Sequence, residues 1–281
     1  MTKAYRRAAL VALGFLTLAL VLPAWYYYDA LWPPQRSFAE LTDLLAPHIE
    51  LLLPEGEGPF PTAVILHGCG GLQLADQQRA RQALQRGYAV ILVDSHTPRQ
   101  ISVKRNCAGR VLQGRERAAD VIAGVAFARR QTQVDADRLF LVGYSHGAWS
   151  ALEALHYDER LPLGLLDSPG QHLQGVIGIV GWYPYCGFAT EFRKGWDRDI
   201  PVLMLLAAAD EIVSATQCGK LALTMTDAGL NASAQLYPGV SHGFDIKLPW
   251  VRQFDEQIAQ RALRKQFDFM NALSQGETPS P

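Results

Sequence analysis

The chain has 281 residues, of which 49% are hydrophobic and 19% are charged, which is an ordinary balance for a globular protein. Its formal net charge is -1 and both signs are spread along the chain, so it has neither the basic stripe of a nucleic-acid-binding protein nor an acidic tail. The length allows one large domain or two small ones.

The first 28 residues have the pattern of a membrane-targeting segment. Basic residues within the first seven positions precede an apolar run at residues 8–22, and four aromatic residues follow at 25–28. Residues 8–28 match the roughly 20 residues that a spanning helix needs, and aromatic rings favour the membrane interface. We predict a single-span anchor with an exported body. The alternative is a signal peptide that is cleaved, although no convincing small-residue cleavage site precedes the aromatic residues.

Strand and helix patterns alternate after a predicted linker at residues 29–47. Continuous apolar runs such as residues 89–93 and 202–206 predict strands that are buried on both faces, and such strands need helices on both sides of the sheet. The predicted strands are His48–Leu53, Thr62–Leu66, Ala89–Val93, Leu139–Val142, Val176–Val180, Val202–Leu206 and Ser233–Tyr237. The predicted helices are Asp76–Arg86, Gly114–Arg130, Ala148–His156, Ala215–Ala228 and Phe254–Leu273. We predict one α/β domain at residues 48–273 with a mostly parallel sheet, followed by a flexible tail at 274–281.

The sequence Gly143-Tyr144-Ser145-His146-Gly147 lies between a predicted strand and a predicted helix. A glycine two positions before and two after the serine allows the tight strand-to-helix turn that exposes a nucleophile, as in the α/β-hydrolase fold. The pattern alone is weak, because a glycine-rich turn without catalysis has the same spacing. In this context it predicts that Ser145 is a nucleophile.

A catalytic serine needs a histidine that takes its proton and a carboxylate that orients the histidine. In α/β-hydrolases these follow in the order serine, acid, histidine, in loops after late strands. Asp210 and His242 occupy such positions. The alternatives are that Asp210 caps the next helix while Glu211 supplies the carboxylate, and that His242 is a surface histidine.

Two backbone N–H groups are expected to form an oxyanion hole. The residue after the nucleophile, His146, supplies one of them. The glycine-rich sequence at residues 67–71 follows an earlier strand and supplies the other, from Cys69 or alternatively from Gly70. A plain strand-to-helix turn is the competing interpretation of this loop.

These motifs together resemble the dienelactone hydrolase family of α/β-hydrolases. The resemblance rests on residues 67–71, 143–147 and 241–244 and on Asp210 after its strand, and it covers roughly residues 47–273. It implies a cysteine or serine nucleophile with an aspartate and a histidine, acting on lactones or esters through an acyl-enzyme. No cofactor and no metal are implied.

Two positions depart from the founding lactonases of that family. Those enzymes have a cysteine nucleophile and a glutamate just after the first-loop histidine, where this chain has Ser145 and Gly68. The serine resembles the broad carboxylesterase branch, so we expect a small-molecule ester, thioester or lactone as substrate. A peptidase or acyltransferase with the same triad is the alternative, as is a non-catalytic binding module on this scaffold. The oligomeric state stays open.

The four cysteines allow three pairings, and the sequence alone does not choose between them. Cys69 and Cys107 follow two early strands, whereas Cys186 and Cys218 lie near the ends of two neighbouring late strands. We predict the disulfides Cys69–Cys107 and Cys186–Cys218, in line with the extra cysteines of exported relatives in the resembled branch. Free buried thiols are the alternative.

Other loops at the same end of the sheet offer candidate pocket residues. Three basic residues either bind an acidic substrate or are solvated: Arg99, Lys104 and Arg105. Three aromatic residues either form a wall of the acyl site or pack in the core: Trp182, Tyr183 and Tyr185.

Overall fold

The computed structural model describes residues 10, 12, 13, 19, 21–168, 170–196 and 198–279. These residues form a seven-stranded sheet in the order β1-β3-β2-β4-β5-β6-β7, in which β1 is antiparallel to β3 and the other neighbouring strands are parallel. The strands are β1 (Ile49–Leu52), β2 (Phe60–Leu66), β3 (Ala89–Val93), β4 (Val134–Tyr144), β5 (Val176–Trp182), β6 (Val202–Ala207) and β7 (Ala232–Tyr237).

Helices cover both faces of this sheet. The α-helices are α1 (Tyr28–Leu31), α2 (Phe38–Leu45), α3 (Leu74–Leu84), α4 (Val103–Cys107), α5 (Gly114–Ala128), α6 (His146–His156), α7 (Ala215–Asp227) and α8 (Glu256–Ser274). Residues of α5, α6 and α7 form the core on one face, and residues of α3 and α8 form the core on the other. The predicted α/β architecture is confirmed.

Strand β3 shows why continuous apolar runs form the centre of the sheet. All five of its residues are buried. Ile91 and Val93 pack in the core with α5, whereas Val90 and Leu92 pack in the core with α3 and α8. Because successive strand residues point to opposite faces, both faces must be apolar, and each large side chain stabilises the fold by about 1.5–3 kcal/mol.

The segment predicted as a linker, residues 29–47, contains helix α2. Its N-terminus has a capping box, in which the Ser37 side chain accepts from the Glu40 N–H and the Glu40 carboxylate accepts from the Ser37 N–H. Leu41 and Leu45 pack against α5. The Ser-x-x-Glu pattern before apolar residues was the sequence signal for this helix.

Most of the predicted N-terminal anchor lies outside the described residues. Residues 21–26 are helical and α1 follows them. Within the described part of the chain, none of the helices has the length and apolarity needed to cross a membrane.

Both predicted disulfides are present. Cys69 and Cys107 have their Cα atoms 5.0 Å apart, and Cys186 and Cys218 have theirs 5.2 Å apart. The first joins the loop after β2 to α4, and the second joins the loop after β5 to α7. Disulfides of this kind are typical of proteins in an oxidising compartment.

Candidate active site

The loops after β2 and β4 meet where the order of the sheet reverses. The chain runs from β2 outward to β3 and then returns to β4 on the other side of β2. In parallel α/β sheets, this reversal opens a crevice at the carboxyl ends of the strands. Ser145 directly follows β4, and the loop at residues 67–71 follows β2.

The turn at Ser145 is tight and strained. Ser145 has φ 53° and ψ -113°, a conformation that residues with a side chain rarely adopt. A Cβ atom on Gly147 would lie 2.6 Å from the carbonyl oxygen of His67, and one on Gly143 would lie 2.5 Å from the backbone nitrogen of Ala148. The two glycines are therefore required by the close approach of the backbone to itself.

Ser145, His242 and Asp210 form a continuous hydrogen-bond chain. The Ser145 Oγ lies 2.9 Å from the His242 Nε2, and the His242 Nδ1 lies 2.7 Å from the Asp210 Oδ2. His242 follows β7 and Asp210 follows β6, so three loops contribute one side chain each. This geometry allows the imidazole to take a proton from the serine while the carboxylate fixes the imidazole tautomer.

Asp210 does not cap the next helix, which was its alternative interpretation, because Ser214 is the N-cap of α7; Asp210 instead accepts hydrogen bonds within its own loop. Its Oδ1 accepts hydrogen bonds from the N–H groups of Ile212 and Val213, both at 2.9 Å. The neighbouring Glu211 points elsewhere and forms an ion pair with Arg252 at 3.2 Å. Asp210 is therefore the carboxylate on His242, and its position is fixed by its own loop.

The His242–Asp210 pair is shielded from solvent. The side chains of His242 and Asp210 are 6% and 1% exposed. The ring of Tyr183 packs against the imidazole with a centroid distance of 4.6 Å. Because little water reaches the pair, its electrostatic interaction is stronger than at the surface.

Both candidate oxyanion donors lie beside the serine. Helix α6 begins at His146, whose N–H belongs to the first turn and has no partner within the helix. Cys69 and Gly70 line the same cavity as Ser145, so both remain available as the second donor. The disulfide to Cys107 holds this loop at α4.

A buried arginine, Arg117 of α5, connects the loop after β2 with the start of α6. Its Nη1 donates to the carbonyl oxygen of His67 at 2.8 Å and lies 3.1 Å from the Nδ1 of His146. Its Nε donates to the Ser95 Oγ at 2.9 Å. One guanidinium thus contacts both segments that carry the candidate oxyanion donors. No sequence signal indicated this residue.

The histidines around Arg117 are held in their neutral form. Burial lowers the pKa of His67 and of His146 well below the ordinary value, and the positive charge of Arg117 lowers both further. Burial and the same charge lower the pKa of His96 to about 4. At neutral pH these rings therefore act as uncharged hydrogen-bonding groups.

A cavity of about 450 Å³ opens at Ser145, within the usual size range of small-ligand sites. Ten of its lining residues are polar residues, cysteines or glycines: Gly68, Cys69, Gly70, Gly71, Gln73, Asp76, Arg79, Cys107, Ser145 and His242. The other seven are apolar or aromatic: Ala75, Val103, Tyr144, Tyr183, Ile212, Leu248 and Trp250. Within the described part of the chain, His, Cys, Asp and Glu side chains form no cluster of three or more suited to a metal ion.

Of the three aromatic residues predicted for the acyl site, Tyr183 lines the cavity, whereas Trp182 and Tyr185 do not. The reason is that β5 ends at Trp182, two residues later than predicted, so this side chain lies in the core and donates from Nε1 to Gln266 at 2.6 Å. Tyr185 packs against Trp149, with ring centroids 5.1 Å apart.

The predicted basic residues do not line the cavity either. Arg99 binds the Asp120 carboxylate at 2.7 and 3.0 Å, and Arg105 forms an ion pair with Asp29. Lys104 is exposed. The charged residues that do line it, Asp76 and Arg79 of α3, were missed because the polar face of α3 has the same pattern as a solvated helix.

Comparison with known proteins identifies the family. The model of the dienelactone hydrolase family matches residues 50–274, which is most of the chain. The chain belongs to the dienelactone hydrolase family. Membership extends the resemblance of the short motifs to the whole α/β domain, and it supports hydrolase activity toward esters.

Solved structures share the fold of this dienelactone hydrolase family member at low identity. A protein named m3DLH is 19% identical with a TM-score of 0.62, covering 80% of this chain and 92% of its own. Esterase 2 of Thermogutta terrifontis phosphorylated by paraoxon is 14% identical with a TM-score of 0.61, covering 83% and 90%. The same esterase with propionate bound aligns at 16% identity and a TM-score of 0.56, covering 83% and 91%.

Proposed function

We propose that this dienelactone hydrolase family member is a serine hydrolase that cleaves a carboxylic ester, thioester or lactone through an acyl-enzyme. The observation that carries the proposal is the chain from Ser145 Oγ to His242 Nε2 at 2.9 Å and from His242 Nδ1 to Asp210 Oδ2 at 2.7 Å. The strained backbone of Ser145 supports it, since strain of this kind clusters at active sites.

In the proposed reaction, Ser145 Oγ attacks the carbonyl carbon of the substrate while His242 Nε2 takes the serine proton. Asp210 stabilises the imidazolium that forms. The negative charge on the carbonyl oxygen is stabilised by the N–H groups of His146 and of Cys69 or Gly70. His242 then protonates the leaving alcohol, thiol or lactone oxygen, and the acyl group stays on Ser145.

The second half repeats these steps with water as the nucleophile. His242 takes a proton from the water, the resulting hydroxide attacks the acyl-enzyme, and the carboxylic acid leaves as Ser145 regains its proton. An amine or alcohol in place of water would make the protein an acyltransferase. The esterase neighbours and the family favour water.

Hydrolysis of p-nitrophenyl acetate tests the proposal. The wild-type protein should release p-nitrophenol, and Ser145→Ala should lower kcat by at least about 1,000-fold, since removing a triad member has costs of this order or larger. Undiminished turnover by Ser145→Ala would contradict the assignment. A panel of esters, lactones and peptides separates esterase from peptidase activity.

We also propose that the hydrolase domain works outside the cytoplasm. Two disulfides support this location, as does the basic and then apolar pattern of the first 28 residues. Fractionation of cells shows whether those residues anchor the protein in a membrane. The mass of the mature chain shows whether they are cleaved. A protein found only in the cytoplasm with four reduced thiols would contradict the proposal.

A further inference from the structure

The cavity at Ser145 has one cationic residue among its described lining, Arg79 of α3. The Arg79 Nε donates to the Asp245 Oδ2 at 2.7 Å, and its Nη1 donates to the Asp76 Oδ1 at 2.7 Å. Its Nη2 donates to the Tyr183 hydroxyl at 3.2 Å. Each guanidinium nitrogen therefore already has a partner within the protein.

The guanidinium is also fixed in place. Its carbon lies 3.7 Å from the centroid of the Tyr144 ring, over the face of that ring. The side chains of Arg79, Asp76 and Asp245 are 7%, 2% and 5% exposed. We name Asp76, Arg79 and Asp245 the acidic cluster, because two carboxylates face one guanidinium.

Tyr183 does not change this charge balance. Its hydroxyl donates to Asp245, and burial together with the Asp245 carboxylate raises the pKa of the phenol well above its usual value. The phenol is therefore neutral at physiological pH, and the acidic cluster has a net charge of about -1. Within the acidic cluster, Asp76 and Arg79 line the cavity and Asp245 does not. Three other arginines, Arg99, Arg105 and the buried Arg117, do not line it either, and the first two are paired with Asp120 and Asp29.

Other residues that line the cavity are apolar. Val103 belongs to α4, Ile212 to the loop after β6, and Leu248 and Trp250 to the loop after β7. Val103, Ile212 and Trp250 are also exposed to solvent, so they lie at the rim. Such a rim favours an apolar group that leaves water on entering the cavity.

We propose that the site selects esters whose acyl group is neutral and apolar, and that the acidic cluster excludes substrates that carry a carboxylate. This inference rests on the proposed function of the site and adds the substrate class to it. A carboxylate entering the cavity would lose its water near the fixed carboxylate of Asp76, and Arg79 is already paired with both Asp76 and Asp245. Discrimination by placing like charges together is a common source of specificity.

Two esters that differ at one end of the acyl group, a carboxylate in one and its methyl ester in the other, test the proposal: the mono-4-nitrophenyl ester of adipic acid and its methyl ester. We expect kcat/KM for the neutral methyl ester to exceed that for the anionic ester by about 100-fold or more. Asp245→Asn keeps the shape of the carboxylate and removes one negative charge, so it should lower this ratio by about tenfold. Asp76→Asn is a second, independent variant with the same expected direction.

The matched control is Glu211→Gln, which removes a carboxylate near Asp210 that does not line the cavity. It should leave the ratio unchanged. Equal kcat/KM for the two esters in the wild-type protein would overturn the proposal. So would an unchanged ratio in both Asp245→Asn and Asp76→Asn when their melting temperatures match the wild type.

Measuring ester binding without hydrolysis tests the charge preference independently of the proposed hydrolase activity. In Ser145→Ala protein, binding of each ester can be followed by the fluorescence of Trp250 and the other tryptophans. Tighter binding of the neutral ester, with the difference reduced by Asp245→Asn, supports the charge preference even if the wild type hydrolyses neither ester. Equal binding of the two esters would contradict the charge preference, whatever the hydrolysis result.

Discussion

Replacing Gly147 by alanine tests how closely the start of α6 must approach the loop after β2. The added Cβ would lie 2.6 Å from the carbonyl oxygen of His67 and closer still to that of Leu66. The Leu66 oxygen would lie 2.1 Å away. Close C···O contacts in proteins lie at about 3.3 Å, so the two segments must separate by about 1.2 Å. They carry the N–H groups of His146 and Cys69, so the candidate oxyanion hole must widen.

The size of the effect follows from this displacement. A misplacement of about 1 Å can lower the rate by about 100-fold, which corresponds to about 2.7 kcal/mol of transition-state stabilisation. We therefore expect Gly147→Ala to lower kcat/KM for p-nitrophenyl acetate by about 100-fold. Overpacking should also destabilise the fold by about 1–3 kcal/mol.

Gly219→Ala is the matched control, because Gly219 lies in helix α7 and a Cβ there meets no atom within 4 Å. It should keep full activity and stabilise the protein by about 0.5–1 kcal/mol, since alanine favours the helix more than glycine does. Kinetics and thermal unfolding of both variants give the comparison. Gly147→Ala with kcat/KM within about threefold of the wild type would refute the reasoning.

Three further predictions concern Arg117, the disulfides and Glu153. Arg117→Lys keeps the charge, but lysine cannot contact His67, His146 and Ser95 with one planar group. We therefore expect kcat to fall about tenfold and KM to change by less than about twofold. Unchanged steady-state kinetics would contradict this. The disulfides close loops of similar sequence separation, 38 and 32, so removing either as a double serine variant should cost about 4 kcal/mol of unfolding free energy. Under conditions where both variants are folded, only removal of Cys69–Cys107 should lower kcat. An equal fall in kcat when Cys186–Cys218 is removed would contradict the assignment of the Cys69 loop to the active site. Burial raises the pKa of Glu153 from 4.5 to about 7, so the folded state holds the proton more tightly than the unfolded state and stability falls as pH rises through this range. The free energy of unfolding of Glu153→Gln, measured in urea, should therefore rise relative to that of the wild type by up to about 3 kcal/mol between pH 5 and pH 8. If the difference between the two proteins does not depend on pH, Glu153 does not have the raised pKa.

The strands that could be predicted from the sequence are those buried on both faces. Residues 89–93 and 202–206 are continuous apolar runs, and they form β3 and most of β6. Strand β4 begins at Val134, five residues before the predicted start at Leu139, because its first part is polar and partly exposed. The order of the strands depends on pairing between distant segments, which no local pattern specifies.

The candidate triad could be proposed from the sequence because each member follows a strand in a recognisable context. The sequence does not distinguish Asp210 from Glu211, because both lie in the same loop and only the directions of their side chains differ. The acidic cluster could not be predicted. Asp245 lies 166 residues from Arg79, and only the fold brings them together.

The most direct test of the central claim is to trap the nucleophile. The purified protein is treated with a fluorophosphonate, digested, and analysed by peptide mass spectrometry. One phosphonyl adduct on Ser145 is expected, absent in Ser145→Ala and formed much more slowly in His242→Ala, because His242 removes the serine proton. An adduct on another residue, or undiminished labelling of Ser145→Ala, would contradict the account.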